Sequence, residues 1–352
     1  MVQMGDRHKF GMALVLVGVL GLGANAGCAR VSARQASTGW LAYVRLGDVY
    51  VLNITSGVKI RLTHGRKAQA SWGPYAAGDL AVSPDQTRVA FTGTTSRGAS
   101  IFVRSTTGNG RAVDVTPWRG EKVSVSPRAL NPQWLDSNHI AYTADESGSK
   151  PFGIVMEVNL TTGRVEPMPA SEIPGGPEFP NFNGAHSPAL AQSGVMQPLV
   201  ISSRFAAFQR FDYSTGCSAT SDLVRGFGAR KSLMTFTPKM DEEPLDLTAD
   251  GQVLALREWI SSGRHNGLCT YGGTNTFRQE LIAVARPRHV DVVVRFAPLV
   301  LRGNAGTPAI DAAWSPDAES LAYISTGGNL IVRSLRSGSQ RVVANHVEAL
   351  DW

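Results

Sequence analysis

Ala312-Ala313-Trp314-Ser315-Pro316-Asp317 runs, after two residues, into Ser320-Leu321-Ala322-Tyr323-Ile324-Ser325. Asn329-Leu330-Ile331-Val332-Arg333, a Ser337-Gly338 turn and Gln340-Arg341-Val342-Val343 follow directly. Each apolar run is too short for a stable helix, is rich in β-branched and aromatic residues, and is closed by Pro, Asp, Gly or Ser. That is the pattern of short strands joined by tight turns. Four such strands in succession make one small, twisted antiparallel sheet.

The same order recurs upstream. Leu80-Ala81-Val82-Ser83-Pro84-Asp85 leads to Arg88-Val89-Ala90-Phe91-Thr92, then Ile101-Phe102-Val103-Arg104, a Thr107-Gly108 turn and Ala112-Val113-Asp114-Val115-Thr116. Gly93 is expected to open the connection after the second of these strands. A looser copy runs Asn131-Pro132-Gln133-Trp134-Leu135-Asp136, His139-Ile140-Ala141-Tyr142-Thr143, Ile154 to Leu160, Thr162-Gly163 and Arg164-Val165-Glu166, with Trp134-Leu135-Asp136 standing where the others have Ser-Pro-Asp. Repeats at a spacing of roughly 40 to 50 residues predict the blades of a β-propeller.

Trp40-Leu41-Ala42-Tyr43-Val44-Arg45 reads as a second strand with no inner strand before it; Asp48 to Leu52, the Ser56-Gly57 turn and Lys59 to Thr63 complete three strands. The missing strand is found in Val347-Glu348-Ala349-Leu350-Asp351-Trp352, so a closing blade built from both termini is expected, pairing otherwise open edges. Residues 180–305 have room for two blades with long insertions, through Leu199 to Ser203, Phe205 to Phe208, Gln252 to Arg257 and Leu281 to Ala285. The expected fold is all-β, a six-bladed β-propeller over residues 40–352 with four antiparallel strands per blade; seven blades is the alternative.

The repeats resemble those of the TolB-type, WD-like propeller family, which carry a Trp-Ser-Pro-Asp-Gly turn followed by an Ile-Ala-Phe strand. Trp314-Ser315-Pro316-Asp317 with Leu321-Ala322-Tyr323 matches best, and Val82-Ser83-Pro84-Asp85 with Val89-Ala90-Phe91 comes next. The glycine that ends the family's turn is Gln86 in one copy and Ala318 in the other. The resemblance implies a propeller that associates with envelope proteins, and it specifies fold far better than function.

At the other end, Arg7-His8-Lys9 precedes an uncharged apolar run from Phe10 to about Leu22 and a small-residue stretch ending at Cys28. This is the layout of a secretory signal over residues 1–27. The run is shorter than the roughly 20 residues that cross about 30 Å of hydrocarbon. Ala24-Asn25-Ala26 fits soluble cleavage, whereas Ala26-Gly27-Cys28 fits a lipoprotein box, in which residues 28–39 would be a lipidated linker. The chain has three cysteines, Cys28, Cys217 and Cys269. An odd count in an exported protein leaves one thiol over unless lipidation of Cys28 consumes it. Cys217 and Cys269 would then be free to pair, a bridge worth roughly 4 kcal/mol in the chain-entropy description; the alternative is two buried thiols acting as small hydrophobes.

The formal net charge is +6, with basic and acidic residues interspersed along the chain. This reads as a solvated surface rather than a nucleic-acid footprint. No Gly-x-Ser-x-Gly elbow, His-Glu-x-x-His pair or phosphate-cradling glycine loop occurs. The seven histidines fall singly, without metal-ligand spacing. No catalytic residue, metal site or cofactor is therefore expected. Two stretches look like loops: Pro167 to Pro188, which would present Phe179 and Phe182 as a candidate recognition loop, and the Gly- and Asn-rich Ser261 to Thr276 around Cys269. The functional expectation is an exported, lipid-anchored scaffold for an envelope protein or polymer, at the outer face of the cell membrane or in the periplasm. Soluble secretion is the alternative location, and an enzyme acting on a carbohydrate or lactone at the central pore is the alternative activity.

Overall fold

A computed structural model describes residues 39–64, 80–95, 98–116, 128–145, 154–168, 193–201, 205–212, 218–225, 232–235, 241–248, 252–265, 271–285, 289–302 and 311–352, and these are all-β. Strand β1 (Trp40–Arg45) turns through Leu46-Gly47 into β2 (Asp48–Asn53), which is flanked by β3 (Lys59–Arg61). β4 (Leu80–Val82), β5 (Arg88–Thr95), β6 (Gly98–Ser105) and β7 (Val113–Asp114) form an antiparallel set of four. β8 (Arg128–Trp134), β9 (His139–Asp145), β10 (Ile154–Asn159) and β11 (Arg164–Pro167) form the next. One parallel pair, Ala99 opposite Arg128, bridges these two sets into a single eight-stranded sheet.

β12 (Ser193–Ile201), β13 (Phe205–Asp212), β14 (Ser218–Arg225) and β15 (Ser232–Thr235) make a further four-stranded sheet. β16 (Asp241–Leu247), β17 (Val253–His265), β18 (Tyr271–Ala285) and β19 (His289–Arg295) make another, with β20 (Leu299–Arg302) beside the first half of β18. β21 (Ala312–Trp314), β22 (Ser320–Ile324), β23 (Leu330–Ser334) and β24 (Gln340–Ala344) follow. β25 (Val347–Asp351) then pairs antiparallel with β1, Leu350 opposite Tyr43 and Asp351 opposite Ala42, giving the order β25-β1-β2-β3. The first strand of each set lies against the first strands of its neighbours: β25 against β4, β4 against β8, β8 against β12, β12 against β16, β16 against β21, and β21 against β25. Four-stranded antiparallel sheets that share a centre of first strands are the architecture of a β-propeller.

This arrangement explains why the strands read as continuous apolar runs rather than alternating ones. Successive side chains of a strand point to opposite faces, and here both faces are covered. Leu41 and Tyr43 of β1 pack with Ala313, Ala322 and Leu330 on one side. Ala42 and Val44 pack with Val82, Val89 and Phe91 on the other. The same two-sided burial recurs between β16–β19 and β21–β24, where Leu254, Leu281, Trp314 and Leu321 meet, and between the two halves of the eight-stranded sheet, where Ile101, Trp134 and Ile140 meet.

Three local details depart from the sequence reading. Gly93 does not open a connection but lies inside β5, opposite Ser100. A Cβ there would stand 2.7 Å from the ring of Phe102, which stacks on Phe91 at 5.8 Å; the glycine admits a close approach instead of ending the strand. Ser261 to Thr276 is not simply a loop, since Ile260 pairs with Phe277, Ser262 with Thr276, Arg264 with Gly272 and His265 with Tyr271. Ser261 and Gly263 fall at register shifts, where small residues accommodate bulges. Finally, Trp134 sits opposite Ile140 as Trp314 sits opposite Leu321. It is the counterpart of Trp314, not of Ser315, and its turn is shorter by one residue.

Candidate functional site

The repeat turns are closed by their own side chains. Ser83 Oγ donates to Asp85 Oδ1 at 2.6 Å and accepts the Arg88 N–H at 2.9 Å, while the Thr87 N–H donates to Asp85 Oδ1 at 3.1 Å. Ser315 Oγ donates to Asp317 Oδ1 at 2.6 Å and accepts the Ser320 N–H at 2.9 Å, and the Glu319 N–H donates to Asp317 Oδ1 at 3.1 Å. Pro84 and Pro316 occupy the turn position at which a fixed φ is favoured and no N–H is required. Partial burial works to raise the Asp85 carboxyl, but hydrogen bonds from Ser83 and Thr87 and the Arg88 charge outweigh it and hold the group down at about 2. Ser83, Pro84, Asp85, Trp314, Ser315, Pro316 and Asp317 therefore serve the blade itself.

The polar groups that join the first strands of successive sets are others. A first strand pairs with a second on one side only, so alternate N–H groups on its free edge need an acceptor. Three aspartates provide it, each from the preceding set. Asp246 Oδ2 accepts the Trp314 N–H at 2.6 Å. Asp311 Oδ2 accepts the Leu350 N–H at 2.7 Å. Asp351 Oδ2 accepts the Val82 N–H at 2.6 Å. The charges of the other two also act on Asp351. Burial raises Asp351, the charge of Asp246 raises it further and that of Asp311 adds to this, while the Val82 and Trp352 N–H groups draw it back only in part. Burial likewise raises Asp246 against the pull of the Trp314 and Leu247 N–H groups. Asp246 and Asp351, each on a first strand, are thus raised above the usual carboxylate range, and carboxyl groups shifted in this way are where function is sought first.

Longer polar side chains tie the sheets together farther out. Arg104 at the end of β6 donates to the carbonyl of Leu62, and Arg333, at the same place in β23, donates to the carbonyl of Val293. Gln86 Oε1 accepts the Trp40 N–H at 2.7 Å, and Trp134 Nε1 donates to the Ala81 carbonyl at 2.9 Å. The Arg88 guanidinium lies 5.2 Å from the centre of the Trp134 ring.

Among the described residues, no group of three or more His, Cys, Asp or Glu side chains is arranged to hold a metal ion. Cys28, Cys217, Cys269, Phe179 and Phe182 lie outside the described residues, as does the signal over 1–27. The acidic trio escaped the sequence reading because its members fall in unlike contexts, Pro244-Leu245-Asp246, Ile310-Asp311-Ala312 and Leu350-Asp351-Trp352. The one available signal was an aspartate inside or beside each short apolar first strand.

No family model matches the sequence, and no curated protein matches it. Solved structures do resemble it. TolB from Acinetobacter baumannii is similar over 90% of this chain and 67% of that chain, at 13% identity and a TM-score of 0.54. An oligogalacturonate lyase from Vibrio parahaemolyticus is similar over 88% and 85%, at 10% identity and a TM-score of 0.44. A periplasmic gluconolactonase from Pseudomonas aeruginosa is similar over 88% and 98%, at 14% identity and a TM-score of 0.42. The likeness to TolB shows the fold, and this chain is a β-propeller.

Proposed function

We propose that the chain is a six-bladed propeller, closed by the pairing of β25 with β1, and that it works as a non-catalytic binding scaffold in the cell envelope. Six sets of strands whose first members touch in a cycle support the count. The observation that carries the scaffold reading is the commitment of the carboxylates of the turns and of the centre to backbone N–H groups of the propeller itself. Anchoring through a lipid on Cys28 after removal of residues 1–27 rests on the lipoprotein-box sequence.

The strand directions give the partner a preferred end. Connections from a first to a second strand are tight, as at Ser83 to Thr87 and Ser315 to Glu319. The ends of the strands joined by 62–79, 115–127 and 168–192 lie at the opposite end, together with the Leu46-Gly47 turn and the extension of β17 and β18 beyond β16. Phe179 and Phe182 belong to one of those connections. Cys217 and Cys269 fall in the segments joining second to third strands of neighbouring sets, which supports their pairing in an oxidising compartment.

The test is photocrosslinking in cells of full-length protein carrying the probe at position 46, with position 318 at the other end as control, followed by recovery from detergent-solubilised envelope. One partner captured from position 46 alone supports the scaffold reading; no specific product from either end overturns it. The second reading, an enzyme acting on a carbohydrate or lactone, is favoured by the carboxyls of Asp246 and Asp351, which burial holds above the usual carboxylate range. Lactone or oligosaccharide turnover that disappears in Asp351→Asn would establish it instead.

A further inference from the structure

The connection from β6 to β7 is held at its first half and free at its second. Thr106 donates through its N–H to the Thr87 carbonyl at 2.9 Å and through Oγ1 to the Gln86 carbonyl at 3.0 Å. Arg104 Nη2 donates to the Gly108 carbonyl at 2.7 Å, and a Cβ on Gly108 would stand 2.8 Å from Ile60. Beyond Gly108 these ties stop. Asn109 and Gly110 are exposed, and among the described residues neither the Asn109 side chain nor the Gly110 N–H makes a hydrogen bond. A Cβ on Gly110, at φ 74°, would meet nothing within 4 Å.

Asparagines in the comparable turns are held. Asn53 Oδ1 accepts the Ser56 N–H at 2.8 Å and the Ser56 Oγ–H at 2.9 Å. Asn159 Oδ1 accepts the Thr161 and Thr162 N–H groups at 2.9 and 3.0 Å, and its Nδ2 lies 2.8 Å from His139 Nε2. Branched side chains follow both, Ile54 and Leu160, whereas Asn109 is the one asparagine among the described residues that glycine follows.

The backbone nitrogen after an asparagine can attack the side-chain amide when it swings onto Cγ. A following glycine offers the least hindrance, having no Cβ and a wide choice of φ and ψ. We propose that Asn109-Gly110 is a site of spontaneous deamidation in the folded protein, with water as the co-reactant. Gly110 N gives up its proton to solvent and bonds to Asn109 Cγ, closing a five-membered succinimide. The Cγ–Nδ2 bond breaks, and the nitrogen leaves as ammonia after taking a proton from solvent. Water then opens the ring. Addition at Cγ gives aspartate; addition at the main-chain carbonyl carbon gives isoaspartate, whose main chain is one carbon longer. Either product puts a carboxylate between Gly108, whose carbonyl Arg104 holds, and the exposed Arg111. The proposal goes beyond the scaffold reading and does not depend on it.

The experiment incubates the full chain, folded and in parallel unfolded in urea, at neutral pH in heavy-oxygen water, followed by peptide mass spectrometry with fragmentation that separates aspartate from isoaspartate. A turn that opens at little free-energy cost is hardly protected, so conversion at Asn109 in the folded chain is expected within about fivefold of the unfolded rate. It is expected to lead Asn53 and Asn159 by about tenfold or more, because their amides are held by the fold. The product should carry one heavy oxygen. Gly110→Ala should slow the reaction by about tenfold or more, since a Cβ hinders the attacking nitrogen and is strained at positive φ. Asn109→Gln, which would need a six-membered ring, should slow it as well and serves if Gly110→Ala disturbs the turn. An Asn109 that stays unconverted in the folded chain overturns the proposal, whatever the unfolded chain does, as does conversion that keeps its rate in both variants.

Discussion

Asp351 accepts the backbone N–H of Val82 at 2.6 Å, and the same carboxyl is pushed up to about 8 by burial and by the neighbouring Asp246. A group whose folded value lies above its unfolded value, near 4 for aspartate, binds a proton more tightly in the folded state. Its contribution to stability is complete below pH 4 and is lost as pH rises toward the folded value. Global stability of the wild type, compared with Asp351→Asn by urea unfolding, should therefore decline relative to the variant between pH 4 and pH 8. The loss follows because a group that binds its proton more tightly in the folded state gives up that contribution as it ionises. Parallel profiles for the two proteins would mean that Asp351 is ionised in the folded state.

The indoles of Trp134 and Trp314 occupy equivalent positions with unequal bonding. Trp134 Nε1 reaches the Ala81 carbonyl of the neighbouring set at 2.9 Å, whereas Trp314 Nε1 is buried without a partner among the described residues. Both tryptophan-to-phenylalanine changes lose apolar contact area, but only Trp134→Phe also loses a hydrogen bond. Trp134→Phe should cost more than Trp314→Phe by about 1 kcal/mol in urea unfolding. Equal costs would show that the cross-sheet bond adds nothing net.

Gln86 and Ala318 both stand where the family's turn ends in glycine, and both have positive φ, 61° and 54°. A residue with a Cβ is strained there by about 1 to 2 kcal/mol, offset by the extra freedom glycine has when unfolded. Ala318→Gly should stabilise by about 0.5 kcal/mol. Gln86→Gly should instead destabilise by about 1 kcal/mol, because it also removes the Oε1 acceptor of the Trp40 N–H. Thermal midpoints moving in the same direction for both variants would contradict this account.

Gly93 is set by the Phe102 ring. Gly93→Ala places a methyl group 2.7 Å from ring carbons of Phe102, and overpacking of this kind costs about 1 to 3 kcal/mol. The double change Gly93→Ala with Phe102→Leu should recover part of that loss in a thermal melt. No recovery would place the strain in the backbone instead of the ring contact.

The repeats make the architecture legible in the sequence. Runs such as Leu321-Ala322-Tyr323 are apolar on both faces because sheets cover both, and the Ser-Pro-Asp turns mark where first strands end. What stayed hidden depends on contacts between distant positions. Asp246, Asp311 and Asp351 look like three unrelated aspartates until the edge N–H groups of Trp314, Leu350 and Val82 are brought to them. Glycine in sequence signals turns and close approaches alike, and at Gly93 only the position of Phe102 distinguishes the two. Composition alone makes Ser261 to Thr276 loop-like, because it does not register cross-strand pairs such as Ser262 with Thr276 and Arg264 with Gly272.

Leu46 breaks two local rules at once. It is 68% exposed and has φ 51°, in the two-residue turn Leu46-Gly47 that joins β1 to β2. Such hairpin turns favour asparagine before glycine, since asparagine tolerates the left-handed region and leucine does not. Leu46→Asn should therefore stabilise the propeller by about 1 kcal/mol while removing an apolar side chain from the end of the sheets where the long connections begin. If that end meets the envelope partner, the variant should be more stable by urea unfolding yet recover less partner from solubilised envelope. A variant that gains stability and retains full partner recovery would show that Leu46 plays no part in binding.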